Sequence, residues 1–251
     1  MKPLSVQLYS LREYSEKDFV GMLKRVAEIG YKGVEPAGFF GMTPKEFKSV
    51  VDDLGMEVSS THSPWCNQVD IQEVVDTAGA LDIDLVACGF GPDDFKDIDS
   101  IKATADTVNS TLDKLKNTGL TLFMHNHYWE FERLDGQLKY DLFLEYCPGI
   151  KFEQDTYWSA NFGTENPAEM VTRYKDRTPL LHIKDGPLVK DEAMVAVGAG
   201  KNNIAEIIAA ADENVLRYLV VELDKCDTDM FQAVEDSYKF LTSNGLAQGN
   251  K

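Results

Sequence analysis

The stretch Phe19-Val20-Gly21-Met22-Leu23-Lys24-Arg25-Val26-Ala27-Glu28-Ile29-Gly30-Tyr31-Lys32-Gly33-Val34-Glu35-Pro36-Ala37 holds one structural unit. Phe19, Met22, Leu23, Val26 and Ile29 recur at three- and four-residue steps, which places them on one face of a helix. Gly30 follows, where a chain leaving a helix needs a left-handed residue. Gly33–Ala37 then reads as a short strand with a carboxylate, Glu35, at its end.

Outward from this unit the rhythm repeats. Strand-like runs at Leu4–Ser10, Gly33–Ala37, Glu57–His62, Asp84–Phe90, Thr121–His127, Ile150–Thr156, Pro179–Asp185 and Tyr218–Asp224 alternate with amphipathic patterns. Phe47, Val50, Val51 and Leu54 form one such pattern, Ile71, Val74, Val75 and Ala78 a second, and Ile101–Leu115 a longer third. Thr43-Pro44 sets a cap before proline at the first helical position, and Ser15 with Asp18 three residues on marks another start. Gly55 and Gly119 close their helices as Gly30 does. Eight strand ends, 25 to 39 residues apart with no linker between them, predict a single (β/α)₈ barrel over residues 1–251. A doubly wound open sheet uses the same units, but it needs fewer strands and the turns here lack G-x-G-x-x-G.

The composition sets the limits on function. The chain has 251 residues, 43% hydrophobic and 27% charged, which excludes disorder of the whole chain. With 42 acids against 25 bases the net charge is −17, so nucleic acid is disfavoured and a small molecule is the expected ligand. Cys66, Cys88, Cys147 and Cys226 form no C-x-x-C pair and read as free thiols in a reducing compartment. No segment reaches the ~20 apolar residues of a membrane helix and residues 1–20 have no signal-peptide pattern, so a cytoplasmic protein is expected.

In a barrel the active site lies at the C-terminal strand ends, and this chain places there the residues that bind metals and move protons. They are Glu35, His62, His125-Asn126-His127 with Glu130, Asp155, His182 with Lys184 and Asp185, and Glu222 with Asp224. All four histidines of the chain are among them. Alternation turns His125 and His127 to one side and Asn126 to the other. Lys184 is ranked last, since it is taken to point away from His182 and to reach a substrate only where the strand has ended. Imidazole and carboxylate together suit Mn²⁺, Zn²⁺, Co²⁺ or Fe²⁺ better than Mg²⁺ or Ca²⁺. Each residue also has a plainer use, as a rim salt bridge, a hydrogen-bonded core histidine or a helix cap. Tyr128, Trp129, Phe131, Tyr157, Trp158 and Phe162 either wall a sugar-stacking face or pack the rim. Asp93, Asp94, Asp97 and Asp99 read as a solvated loop and helix start. Val197-Gly198-Ala199-Gly200 is a plain turn or, through its N–H groups, a phosphate seat.

Read together, Ile29–Glu35, Gly55–His62, His125-Asn126-His127 with Glu130-Phe131, Asp155, His182–Asp185, Val197–Gly200 and Val220–Asp224 resemble the xylose-isomerase-like barrels. These comprise sugar epimerases and isomerases, inosose isomerases and dehydratases, and endonuclease IV. The likeness covers nearly the whole chain. It implies one divalent metal held by four ligands, of which Asp155, His182 and Glu222 match by position. The strand-five ligand of the family is usually glutamate; here either His125 takes its place or Glu130 reaches back. The family's histidine three residues after the aspartate is replaced by Trp158, and the extra ligands of the three-metal nucleases are not evident. The resemblance implies a sugar or ketosugar isomerase or epimerase that removes a proton beside a carbonyl through a metal-stabilised enediolate. Glu222 is then ligand and base, Glu130 or His127 handles the second proton, and Glu35, His62, Lys184, Trp129 and Trp158 contact substrate. With histidine in place of one glutamate, the alternative is a dehydratase or eliminase acting on a keto-sugar, 3-keto-glycoside or inosose. A non-catalytic sugar-binding barrel and a nuclease are the minor alternatives. Family members often pair, so a homo-oligomer is a further expectation.

Overall fold

Each of the eight runs contains a strand, and a helix follows every one. In the computed structural model, which describes residues 1–251, the strands are β1 (Lys2–Gln7), β2 (Gly33–Glu35), β3 (Glu57–Val58), β4 (Leu85–Cys88), β5 (Thr121–His125), β6 (Lys151–Asp155), β7 (Leu180–Ile183) and β8 (Tyr218–Val221). The helices are α1 (Arg12–Ile29), α2 (Pro44–Asp53), α3 (Ile71–Leu81), α4 (Ile98–Leu115), α5 (Lys139–Tyr146), α6 (Pro167–Tyr174), α7 (Ile204–Ala209) and α8 (Met230–Ser243). The strands lie in the order β3-β2-β1-β8-β7-β6-β5-β4, and each pairing is parallel. A parallel bridge between Thr61 and Val86 joins the two ends, closing the sheet into a barrel. The short strand Ala247–Gln248 adds to the outside of β1.

Helix boundaries follow local chemistry. Thr43 and Glu46 form a reciprocal capping box, with Pro44 in the first turn of α2. Gly30 ends α1 at φ +116°, its N–H donating to Val26 O at 3.3 Å. The start of α1 differs from expectation. Ser15 does not cap; its hydroxyl donates to Leu11 O from inside the helix. Asp18 is the residue with extended backbone (φ −155°, ψ 86°), and its carboxylate accepts the Gly21 N–H, so it caps the amphipathic part of α1.

Period-two alternation divides the strand residues between two environments. Leu4, Val6, Val34, Val86, Leu122, Met124, Phe152, Leu181, Ile183, Leu219 and Val221 are buried in the apolar layers between barrel and helices. Full burial of one such side chain contributes about 1.5–3 kcal/mol. The lumen has only a small apolar plug, formed by Leu85, Ala87, Phe123 and Leu180. Polar side chains fill the C-terminal half above it.

The strands are shorter than the runs that announced them. After β1, β5 and β6 the chain enters 3-10 turns at Leu8–Leu11, Trp129–Phe131 and Trp158–Gly163. The sheet pairing stops there, and the rim residues stand on turns. No helix is long and apolar enough to cross a membrane.

Candidate metal centre and active site

The strand ends bring Glu35, His62, His125, Asp155, His182 and Glu222 to one mouth, as expected. The register explains how. Asp155 pairs with His182, and His182 with Val220, so Glu222 stands one inward-facing step beyond its neighbour. One donor atom from each of His125, Asp155, His182 and Glu222 lies within 4.8 Å of the other three. All four residues are buried.

His182 is the hinge of the cluster. Its Nδ1 is 2.9 Å from Glu222 Oε2, and its Nε2 is 2.9 Å from Glu35 Oε1 and 3.2 Å from Glu153 Oε1. Burial alone would lower the imidazole pKa, but Glu153, Glu35 and Glu222 outweigh it and hold the pKa well above its usual value. His125 also has carboxylate neighbours, Glu153 at 3.2 Å and Glu222, but they do not prevail. Burial and the neighbouring imidazoles of His182 and His62 hold it well below the usual value, so it is neutral and free to ligate. Burial raises the Asp155 carboxyl to about 6, with Lys184 pulling the other way. Glu222 stays ionised because Lys184 and His182 overcome its burial.

Sequence reasoning missed Glu153. It is fully buried in the middle of β6, with Oε2 2.5 Å from His62 Nε2 and 3.2 Å from His125 Nδ1. With His62, His125 and His182 it makes a second buried set with donor atoms within 4.8 Å of one another. The signal is present in the sequence, since residue 153 shares a strand face with Asp155, but it lies one inward step below the strand end. Gln7 was missed for a similar reason; its amide donates to Glu35 Oε1 at 2.6 Å. Ser60 donates to the other Glu35 oxygen.

The ranking of Lys184 is corrected by the structure. Two residues from His182, it shares that residue's face rather than opposing it. Its buried ammonium lies 2.8 Å from Asp155 Oδ2, 2.6 Å from Glu222 Oε2 and 2.7 Å from Asp224 Oδ2. Burial disfavours the charge, and those three carboxylates reverse the effect, so Lys184 stays protonated.

Glu130 stands apart from the cluster. Its Oε2 accepts the His127 main-chain N–H at 2.9 Å, and burial raises its carboxyl to about 8. Of the two strand-five options, His125 is therefore the one beside Asp155, His182 and Glu222. The His127 ring is stacked 4.2 Å from that of Trp129, and burial and Lys184 lower its pKa to about 4. His127 Nδ1 is buried without a partner. Above the cluster opens a cavity of about 490 Å³, walled in part by Tyr9, His62, Trp65, His125, His127, Glu222 and Asp224.

The Val197–Gly200 segment proves to be a tied-down loop. Asp185 accepts N–H bonds from Gly186, Gly198, Gly200 and Asn202 at 2.8–3.1 Å. A phosphate therefore finds the Gly198 and Gly200 donors already taken.

A closed parallel barrel with buried histidines and carboxylates at its C-terminal mouth is a TIM barrel with its site where enzymes of this fold carry theirs. The family model described as "Xylose isomerase-like TIM barrel" matches residues 23–243, and the chain belongs to that family. A solved sugar phosphate isomerase/epimerase from Parabacteroides distasonis is 26% identical, with a TM-score of 0.79 over 98% of this chain and 96% of its own. A second structure so described from the same organism is 23% identical, with a TM-score of 0.81 over 99% and 100%. A probable 3-DHS dehydratase from Bacillus anthracis shares the fold at 13% identity and a TM-score of 0.72, over 96% and 99%. No curated protein sequence matches the chain.

Proposed function

We propose that this chain is a divalent-metal-dependent isomerase or epimerase of a sugar or ketosugar. The observation that carries the reading is the donor set His125, Asp155, His182 and Glu222, gathered within 4.8 Å from four successive positions around the barrel. The set suits a transition metal: two imidazoles and two carboxylates, buried, with His125 neutral and Glu222 ionised, while His182, held protonated by Glu153, Glu35 and Glu222, gives up that proton as a metal binds. The sugar isomerase/epimerase and dehydratase relatives support an enzyme acting on a small carbonyl compound.

A metal bound there would supply Lewis-acid stabilisation of negative charge on the substrate oxygens. The chain's own groups do the rest. Glu222, held ionised, is the base for the proton beside the carbonyl. Lys184 keeps a fixed positive charge against Glu222 and Asp155, where oxygen charge develops. Neutral His127, which lines the cavity, receives or returns the second proton, and Glu130 braces its backbone. His62 faces the cavity and contacts substrate; Glu35 and Glu153 behind it orient the rings.

A second reading, elimination from a keto-sugar or keto-inositol, is favoured by one observation. Histidine, rather than a second glutamate, stands at the strand-five position, which leaves two-sided proton transfer at the substrate carbon less well supplied. The test is metal analysis of the purified protein, reloading with Mn²⁺, Co²⁺, Zn²⁺ or Fe²⁺, and an NMR screen of ketohexoses, 3-keto-glycosides and inososes. Metal-dependent turnover is expected. A metal-loaded protein that binds these sugars and turns over none would leave only a binding role.

A further inference from the structure

We propose that the mouth has a second subsite, an aromatic side cavity that accepts the ring of an aglycone, so that the substrate is a glycoside rather than a sugar phosphate. The inference rests on the reading of the central cluster as a sugar site and names its substrate class. The cavity is about 200 Å³ and is walled by Tyr128, Tyr157, Trp158, Phe162 and Met194, with Asp224 at its edge. An apolar cavity of about 150 Å³ suffices for benzene, so one six-membered ring fits.

Its position ties it to the chemistry. Asp224 lines this cavity and the central one alike, and its carboxylate holds Lys184. The Lys184 ammonium is also 5.5 Å from the centre of the Trp158 ring, so that ring stands between the carboxylate cluster and the side cavity. A sugar whose carbonyl lies over the cluster therefore directs a substituent past Trp158 into the aromatic walls.

The walls suit a neutral ring. Tyr128, Phe162 and Trp158 pack on one another, with ring centres 5.0, 6.0 and 6.1 Å apart, and so form one continuous aromatic wall. Phe162 in the cavity wall has a left-handed backbone (φ +55°). A bulky residue adopts that conformation only when its surroundings over-determine it. An anion is poorly served. The acids Asp191, Glu192 and Asp224 outnumber Lys190 and Lys225, Lys225 is bonded to the Asp191 carbonyl, and Lys190 sits 5.1 Å over the Tyr128 ring.

The test measures binding to the metal-loaded full chain by calorimetry and tryptophan fluorescence. The probes are matched pairs whose ketone survives glycosidation: 3-keto-D-glucose and 3-keto-D-galactose, each bare and as its phenyl glycoside. The phenyl glycoside of whichever sugar binds is expected to bind at least about tenfold tighter than the bare sugar. In Phe162→Gly, a residue suited to the left-handed backbone there, that ratio falls toward one. A bare ketosugar that binds with no gain from the phenyl group overturns the second subsite alone. So does a gain that survives Phe162→Gly, or a phenyl glycoside displaced by inorganic phosphate. If none of the four probes binds, the central reading falls and this inference with it.

Discussion

Nδ1 of His182 lies 2.9 Å from Oε2 of Glu222, although the two residues are 40 positions apart and come from neighbouring strands. The parallel register brings them together, with His182 opposite Val220 and Glu222 one inward step further on. The other ring nitrogen faces Glu35 and Glu153, so carboxylates fix the imidazole from both sides. A metal ligand braced in this way keeps its tautomer and direction.

His182→Ala removes that ligand. Metal content after chelation and refeeding is expected to fall from about one ion per chain to near zero, and turnover with it, checked by elemental analysis of dialysed protein. Full metal content and full activity in the variant would contradict the ligand assignment.

Lys184→Met strips the shared cation from Asp155, Glu222 and Asp224. Removing one partner of a buried ion cluster costs about 3–5 kcal/mol, so urea unfolding of the metal-free variant is expected at a clearly lower midpoint. Added Mn²⁺ should recover part of the loss by supplying another positive charge. Equal stability of variant and wild type, with and without metal, would show that the carboxylates do not depend on this lysine.

Glu130 predicts a stability that falls as pH rises. Its carboxyl is raised by burial from 4.5 to about 8. Below the unfolded value both states hold the proton and nothing is lost. Between there and about 8 the unfolded chain gives up the proton while the folded one keeps it, so each pH unit costs up to about 1.4 kcal/mol. Thermal melts from pH 5 to 8 should show this decline in the wild type and a flatter line in Glu130→Gln. Parallel lines would refute the cause.

Much of this is legible in the sequence, because the signals are local. Glycines after helices, proline in a first turn and apolar spacing each concern a few residues; they located eight strands and four of the helices, near 19–29, 47–54, 71–78 and 101–115, the remaining four following only from the barrel repeat. Strand ends were overrun because the residues of a 3-10 turn such as Leu8–Leu11 have the same side-chain types as the strand before them; only the lost pairing marks the change. Within the site, His62, His125, Asp155, His182 and Glu222 were found by looking at strand ends. Glu153 escaped because it sits one inward step below the rim, and Lys184 was misjudged by one step of the alternation. The Ser15–Asp18 pair matched the form of a cap, but the backbone turns at Asp18, which spacing alone does not reveal.

Asp185 reads in sequence as a strand-end acid with a helix-cap alternative; in the fold its carboxylate gathers four N–H groups of the 186–202 loop. Charge-assisted bonds contribute about 1.5–3 kcal/mol each and are not additive, so Asp185→Ala should destabilise the protein by about 3 kcal/mol or more. Denaturant unfolding measures it. A loss under about 1 kcal/mol would mean the loop is held by other contacts.

The central claim is that the cluster removes a proton beside a carbonyl, and solvent isotope exchange tests it most directly. The metal-loaded protein is incubated in D₂O with ketohexoses, 3-keto-glycosides and inososes and followed by NMR. The account predicts deuterium at the carbon beside the carbonyl, with inversion there for epimerisation or label at the neighbouring carbon for isomerisation. Loss of an oxygen substituent with a new enone absorbance would assign the elimination reading instead. No deuterium in any of these sugars, and no product, from a protein with its metal bound would contradict the claim.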